Sequence, residues 1–111
     1  MRYGNAIIAV STTGRYCLRS VFEDGYVGDI DLSPLFENPQ GPLTADFKDA
    51  ALFPQAYVDH RAVAWPNGYD IDPDVLRYYC EIGRVCSYEE LAAVFENPDP
   101  VAMTLHDKPK A

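Results

Sequence analysis

The stretch Trp65-Pro66-Asn67-Gly68-Tyr69-Asp70-Ile71-Asp72-Pro73-Asp74-Val75-Leu76 contains a turn, a strand and a helix start. Asn67-Gly68 supplies the positive-φ position of a tight turn, and Tyr69 to Ile71 is a short extended piece after it. Asp72 is a good N-cap. Pro73 fits the first helical position, where its missing N–H costs nothing, and Asp74 suits the positive end of the helix dipole. Val75, Leu76, Tyr79 and Ile82 then recur at helical spacing until Gly83, a natural stop. Strand and helix therefore meet here with almost no linker between them.

Upstream, Tyr57 to Asp59 and Ala62 to Trp65 read as a strand pair around His60-Arg61. Ala6 to Val10 is a short apolar strand that Ser11-Thr12-Thr13-Gly14 is expected to turn. Tyr16 to Phe22 places Tyr16, Leu18 and Phe22 on one face, with Ser20 interrupting the apolar set. Asp24-Gly25 supplies a hairpin turn, and Tyr26 to Leu32 returns with Ile30 and Leu32 inward and Asp29 and Asp31 outward. These three segments form an antiparallel meander. Ser33-Pro34 reads as a cap and a single helical turn, and Asp46 to Gln55 as a short helix carrying Phe47, Ala50, Ala51 and Phe53. Downstream, Ser87 and Glu90 form a capping box for a last helix with Tyr88, Leu91, Val94 and Phe95 along its apolar stripe. The fold class is α+β: a β-meander, a second strand pair, a short central helix and two C-terminal helices. Residues 1–97 are expected to form a single domain, with 98–111 a flexible tail.

The chain has 111 residues, 9 basic and 17 acidic, for a net charge of −8. Pro98 to Ala111 is balanced, so the whole net charge lies in residues 1–97. Such a surface repels phosphate backbones and attracts basic partners. Cys17, Cys80 and Cys86 are odd in number and lack paired spacing, as free thiols in a reducing cytoplasm would be. No run approaches the roughly 20 apolar residues of a membrane span. A soluble, cytoplasmic protein is expected.

Asp70, Asp72, Asp74 and Glu81 have the ligand spacing of a calcium loop, but the glycine required at its sixth position is replaced by Val75. Metal ligands are therefore expected to be absent. The helix, Gly83 turn and helix resemble a helix-turn-helix in outline, yet Ser87 to Glu96 carries three Glu and no Lys or Arg, so direct DNA binding is not expected. His60 and His106 are the only imidazoles, and neither has a nucleophile at a telling spacing. No catalytic residue and no cofactor site is assigned.

Together with Tyr16 to Leu35, the opening stretch resembles a small bacterial and phage family of uncharacterised domains. The shared features are an Asp-Gly hairpin (Asp24, Gly25), an Asp-Leu-Ser-Pro segment (Asp31 to Pro34) and a Trp-Pro-Asn-Gly-x-Asp-x-x-Pro-Asp-x-Leu signature (Trp65 to Leu76). The resemblance covers about residues 6–78. It implies an α+β domain whose relatives often stand beside a second small protein in what look like toxin–antitoxin pairs, some with a fused DNA-binding domain. This chain departs from that pattern in its last third, where a longer helical end, acidic in its second helix, replaces a full DNA-binding domain. The resemblance carries over no catalytic residue.

These features point to a binding domain whose partner is a basic protein, such as the product of an adjacent gene, with an antitoxin-like role. The contact residues expected are Trp65, Asn67, Tyr69, Asp70 and Asp31. Trp65 has a second reading, as the core anchor of the hairpin. The competing functions are a small-ligand binder or enzyme using carboxylates near Asp31 and Asp70, and a transcription-associated module. A homo-oligomer is compatible with all three.

Overall fold

The computed structural model describes residues 6–39 and 41–95. The first sheet runs β1 (Ile7–Gly14), β2 (Cys17–Phe22), β3 (Val27–Asp31), all antiparallel and adjacent in that order. Two short helices, α1 (Ser33–Glu37) and α2 (Pro42–Ala45), and two 3-10 turns lead to the second sheet. That sheet is β4 (Tyr57–Asp59), β5 (Ala62–Ala64), β6 (Asp70–Ile71), again antiparallel and in order. Helices α3 (Pro73–Ile82) and α4 (Tyr88–Phe95) follow. The architecture is α+β, as the residue pattern implied. The tail from 98 to 111 lies outside the described residues.

Alternation sets the first sheet. Leu18, Ser20 and Phe22 of β2 and Gly28 and Ile30 of β3 are buried, while Arg19 and Asp29 pair on the outer face at 2.8 Å. Ser20, the residue that interrupted the pattern, is fully buried, and its hydroxyl has no hydrogen-bond partner among the described residues. Gly28 lies under α3. A Cβ built there would come within 2.6 Å of Cys80 Sγ, so the helix approaches this closely only over a glycine.

Two local expectations fail. The first strand does not end at Val10: Ser11, Thr12 and Gly14 pair with Arg19, Leu18 and Cys17, with a register shift between Thr12 and Gly14, and the turn falls on Arg15-Tyr16. Threonine is β-branched, and a pairing partner overrides the turn preference of a Ser-Thr-Thr-Gly run. Tyr16 takes φ +59, a left-handed conformation strained for a bulky residue. Its buried ring offsets that strain, packing on Phe36 and Phe53 while its hydroxyl donates to the Phe47 carbonyl at 2.6 Å. The second failure is the helix expected over 46–55. It is broken into 3-10 turns at Asp46–Lys48 and Phe53–Gln55, because the Asp49 carboxylate accepts the Ala51 N–H and Pro54 has no N–H to continue a helix.

One smaller correction concerns α1. Ser33 is its first helical residue rather than its cap, and Asp31 Oδ1 accepts the Ser33 N–H at 2.9 Å. The expected ends of α3 and the expected start of α4 agree with the structure. Asp72 Oδ1 accepts from the Asp74 and Val75 N–H groups, and Gly83 terminates α3 at φ +83. Ser87 Oγ accepts the Glu90 N–H while the Glu90 carboxylate accepts the Ser87 N–H.

The two sheets share one core. Ile7, Leu18, Phe22, Leu32, Phe47, Val63, Trp65 and Leu76 are wholly buried in a continuous cluster. The Ile7 N–H donates to the Arg61 carbonyl at 3.0 Å, joining β1 to the β4–β5 turn. In that turn both His60 and Arg61 take positive φ, at 50 and 71 degrees.

Candidate functional site

The Trp65–Leu76 stretch forms the β5–β6 connection and the start of α3. The Trp65 N–H donates to the Tyr69 carbonyl at 2.9 Å and the Gly68 N–H to the Trp65 carbonyl at 3.0 Å, with Gly68 at φ +97. Asn67 ties this turn down on two sides. Its Oδ1 accepts the Tyr69 N–H at 3.1 Å, and its Nδ2 donates to the Leu43 carbonyl at 3.0 Å and to Asp46 Oδ2 at 3.1 Å. The tip is thereby bonded to α2 and the 3-10 turn after it.

Beneath the tip lies Trp65, only 1% exposed. Its indole N–H donates to the Phe53 carbonyl at 2.9 Å, and its ring meets Phe47 edge-on at 5.3 Å. The core-anchor reading of Trp65 therefore holds, and this side chain offers no contact area to a partner. Tyr69 is half-buried, edge-on to Phe36 and Phe47. Burial first, and then the charge of Asp70, push its phenol above the ordinary range. Asp70 is exposed, opposite Ala64 in the sheet. Asn67, Tyr69 and Asp70 thus share one lip, with the Asp46 carboxylate bonded into it. Asp31 stands apart from them in sequence and sheet: it ends β3 in the first sheet, and one of its carboxylate oxygens holds the first N–H of α1.

The four carboxylates with calcium-loop spacing are divided among other tasks. Asp70 is in β6, Asp72 caps α3 and Asp74 sits in its first turn, while Glu81 accepts from Arg77 Nε at 2.8 Å. Among the described residues no three His, Cys, Asp or Glu side chains gather as a metal site would need. In α4, Glu89 and Glu90 open the helix at its dipole-positive end.

One structural residue escaped the sequence reading. Arg77 is buried on α3, at 8% exposure, with Asp24 and Glu81 as ion-pair partners. Its guanidinium lies over the Tyr26 ring at 4.0 Å and the Phe22 ring at 5.1 Å. The i,i+4 spacing of Arg77 and Glu81 was the one local signal, and it says nothing of Asp24.

A protein-family model described as Protein of unknown function (DUF2442) matches residues 7–81, nearly the span of the resemblance seen in the sequence. No curated protein and no solved structure matches the chain. No described helix is long and apolar enough to cross a membrane.

Proposed function

The chain belongs to the DUF2442 family of proteins of unknown function, and from that premise we propose that it is a protein-interaction domain presenting the Asn67–Asp70 lip to a basic partner. The observation that carries this reading is the threefold bonding of Asn67, which holds the tip in one conformation. A preorganised lip loses little loop entropy on binding. Tyr69 adds the accessible part of its ring, and the carboxylates of Asp46 and Asp70 add a negative field that steers a basic surface toward it. With Trp65 in the core, the contact set narrows to Asn67, Tyr69 and Asp70. Asp31 contributes only if the partner also spans the first sheet. We assign the partner to the product of an adjacent gene and the domain to the antitoxin-like side of the pair.

The test is co-expression of the full chain with that product, followed by association kinetics across a salt series. Asp70→Lys is expected to slow association at low salt about ten-fold and to flatten the salt dependence, with the fold intact. Unchanged binding by a folded Tyr69→Ala, Asp70→Lys double variant would place the interface elsewhere and make the lip purely architectural.

A further inference from the structure

A cavity of about 520 Å³ lies between the β1–β2 turn and the chain that links the two sheets. Its buried lining is Tyr16 and Phe53, its outer wall is Ala50 and Pro54, and Arg15 and Lys48 also line it from exposed positions. This is the size range of small-molecule sites, and the mix of ring surface with a few polar groups is theirs too.

Charge makes the cavity unusual for this chain. The protein carries a net charge of −8, yet no acidic side chain lines this space. Arg19, Arg77 and Arg84 are held in ion pairs with Asp29, Asp24 and Glu81, and Glu90. Arg15 and Lys48 have no ion-pair partner among the described residues. The acids next to Lys48 in sequence are engaged elsewhere, Asp46 with Asn67 and Asp49 with the Ala51 N–H.

Backbone geometry adds an independent observation. A two-residue hairpin turn favours Asn, Asp or Gly, yet this one is Arg15-Tyr16, with Tyr16 at φ +59. A residue of this bulk rarely adopts the left-handed region. Both residues of the strained turn line the cavity, and the Arg15 guanidinium stands 4.9 Å from the centre of the Tyr16 ring. Strain kept at a cavity wall is a pattern of ligand sites.

We propose that this cavity binds a small organic anion, a carboxylate or phosphate carried on an apolar body of about one ring. The head group lies between Arg15 and Lys48, and the body rests on the exposed Ala50 and Pro54 against the edges of Tyr16 and Phe53. This site is separate from the lip, and its test needs no partner protein.

The experiment is an amide NMR titration of the full chain with phenyl phosphate, benzoate and the neutral benzyl alcohol. The expected result is saturable shifts at Gly14, Arg15, Tyr16, Lys48 and Ala50 with one or both anions. An Arg15→Gln, Lys48→Gln double variant should bind about ten-fold more weakly with an otherwise native spectrum, and Arg15→Lys should retain most of the affinity. Tighter binding of phenyl phosphate assigns the head group as phosphate, and tighter binding of benzoate as carboxylate. Absence of saturable shifts at these amides would overturn the proposal. So would equal binding of benzyl alcohol, or full affinity in the double variant.

Discussion

Arg77 and Asp24 are 53 residues apart in sequence, and their side chains meet at 3.1 Å between the first turn-and-a-half of α3 and the β2–β3 hairpin. Burial opposes the Arg77 charge, and the bonds to Asp24 and Glu81 outweigh it, so the guanidinium stays protonated. This pair fastens the last third of the domain to the first sheet.

Replacing Arg77 should therefore weaken the whole fold rather than one helix. Arg77→Ala is expected to cost about 2–3 kcal/mol, since it removes two carboxylate partners and the stacking on Tyr26. Asp24→Asn should cost less, because Asp24 is partly exposed and Glu81 remains. Urea unfolding checks both, with a lowered midpoint and an unchanged m-value as the expected outcome. An unaltered midpoint in Arg77→Ala would show that the pair is dispensable.

Gly28→Ala should be equally revealing. The new Cβ would be 2.6 Å from Cys80 Sγ and 2.7 Å from Cys80 Cβ, so α3 must move or its side chain must yield. A loss of about 1–3 kcal/mol is expected. Adding Cys80→Ala removes the Sγ conflict but not the Cβ conflict and should recover only part of the loss. Full additivity of the two single changes would mean that the contact is not tight.

Alkaline pH should destabilise the protein. Burial pushes the Cys80 thiol from 9.0 up to about 11, with Asp29 adding to the effect, and burial likewise raises Tyr26, Tyr69, Tyr79 and Cys86. A raised acid favours the folded state fully below its unfolded pKa, and that advantage fades as pH climbs through the folded value. For Cys80 the window is pH 9 to about 11. Thermal scans should show Tm falling across it, and Cys80→Ala should flatten part of the fall. Alkylation followed by mass spectrometry should label Cys80 slowly at pH 8 and faster as pH rises toward 11.

The start of α4 offers an acid-side counterpart. The bonds from Arg84 and the Ser87 backbone hold the Glu90 carboxylate down to about 2. A lowered acid contributes above its unfolded pKa, and the contribution is lost as pH falls through the folded value, here between 4.5 and about 2. Because the group is exposed at the surface, the effect should appear as local fraying of α4 rather than global unfolding. Hydrogen exchange at the Glu90 and Leu91 amides reports it. Ser87→Ala should speed exchange there at neutral pH, by the loss of about 1 kcal/mol of capping. Unchanged exchange would show that the box does not hold the helix.

What the sequence determined by itself is the set of features that depend on a few neighbouring residues. Asp72, Pro73 and Gly83 mark the ends of α3, Ser87 and Glu90 mark the start of α4, and Gly25 and Gly68 occupy the positive-φ turn positions. The inward sets of β2 and β3 were readable for the same reason, since strand alternation is a property of adjacent bonds. The turn at Asn67-Gly68 was legible, and so was the exposed Asp70 beside it. Tertiary structure decided everything that needs a distant partner. Ser11 to Gly14 became strand because Arg19, Leu18 and Cys17 pair with it. Trp65 went inward because the Phe53 carbonyl awaited its N–H. The cavity joins Arg15 to Lys48, 33 residues further along the chain. Contacts between segments so far apart depend on how the sheets are stacked, and no local preference encodes that geometry.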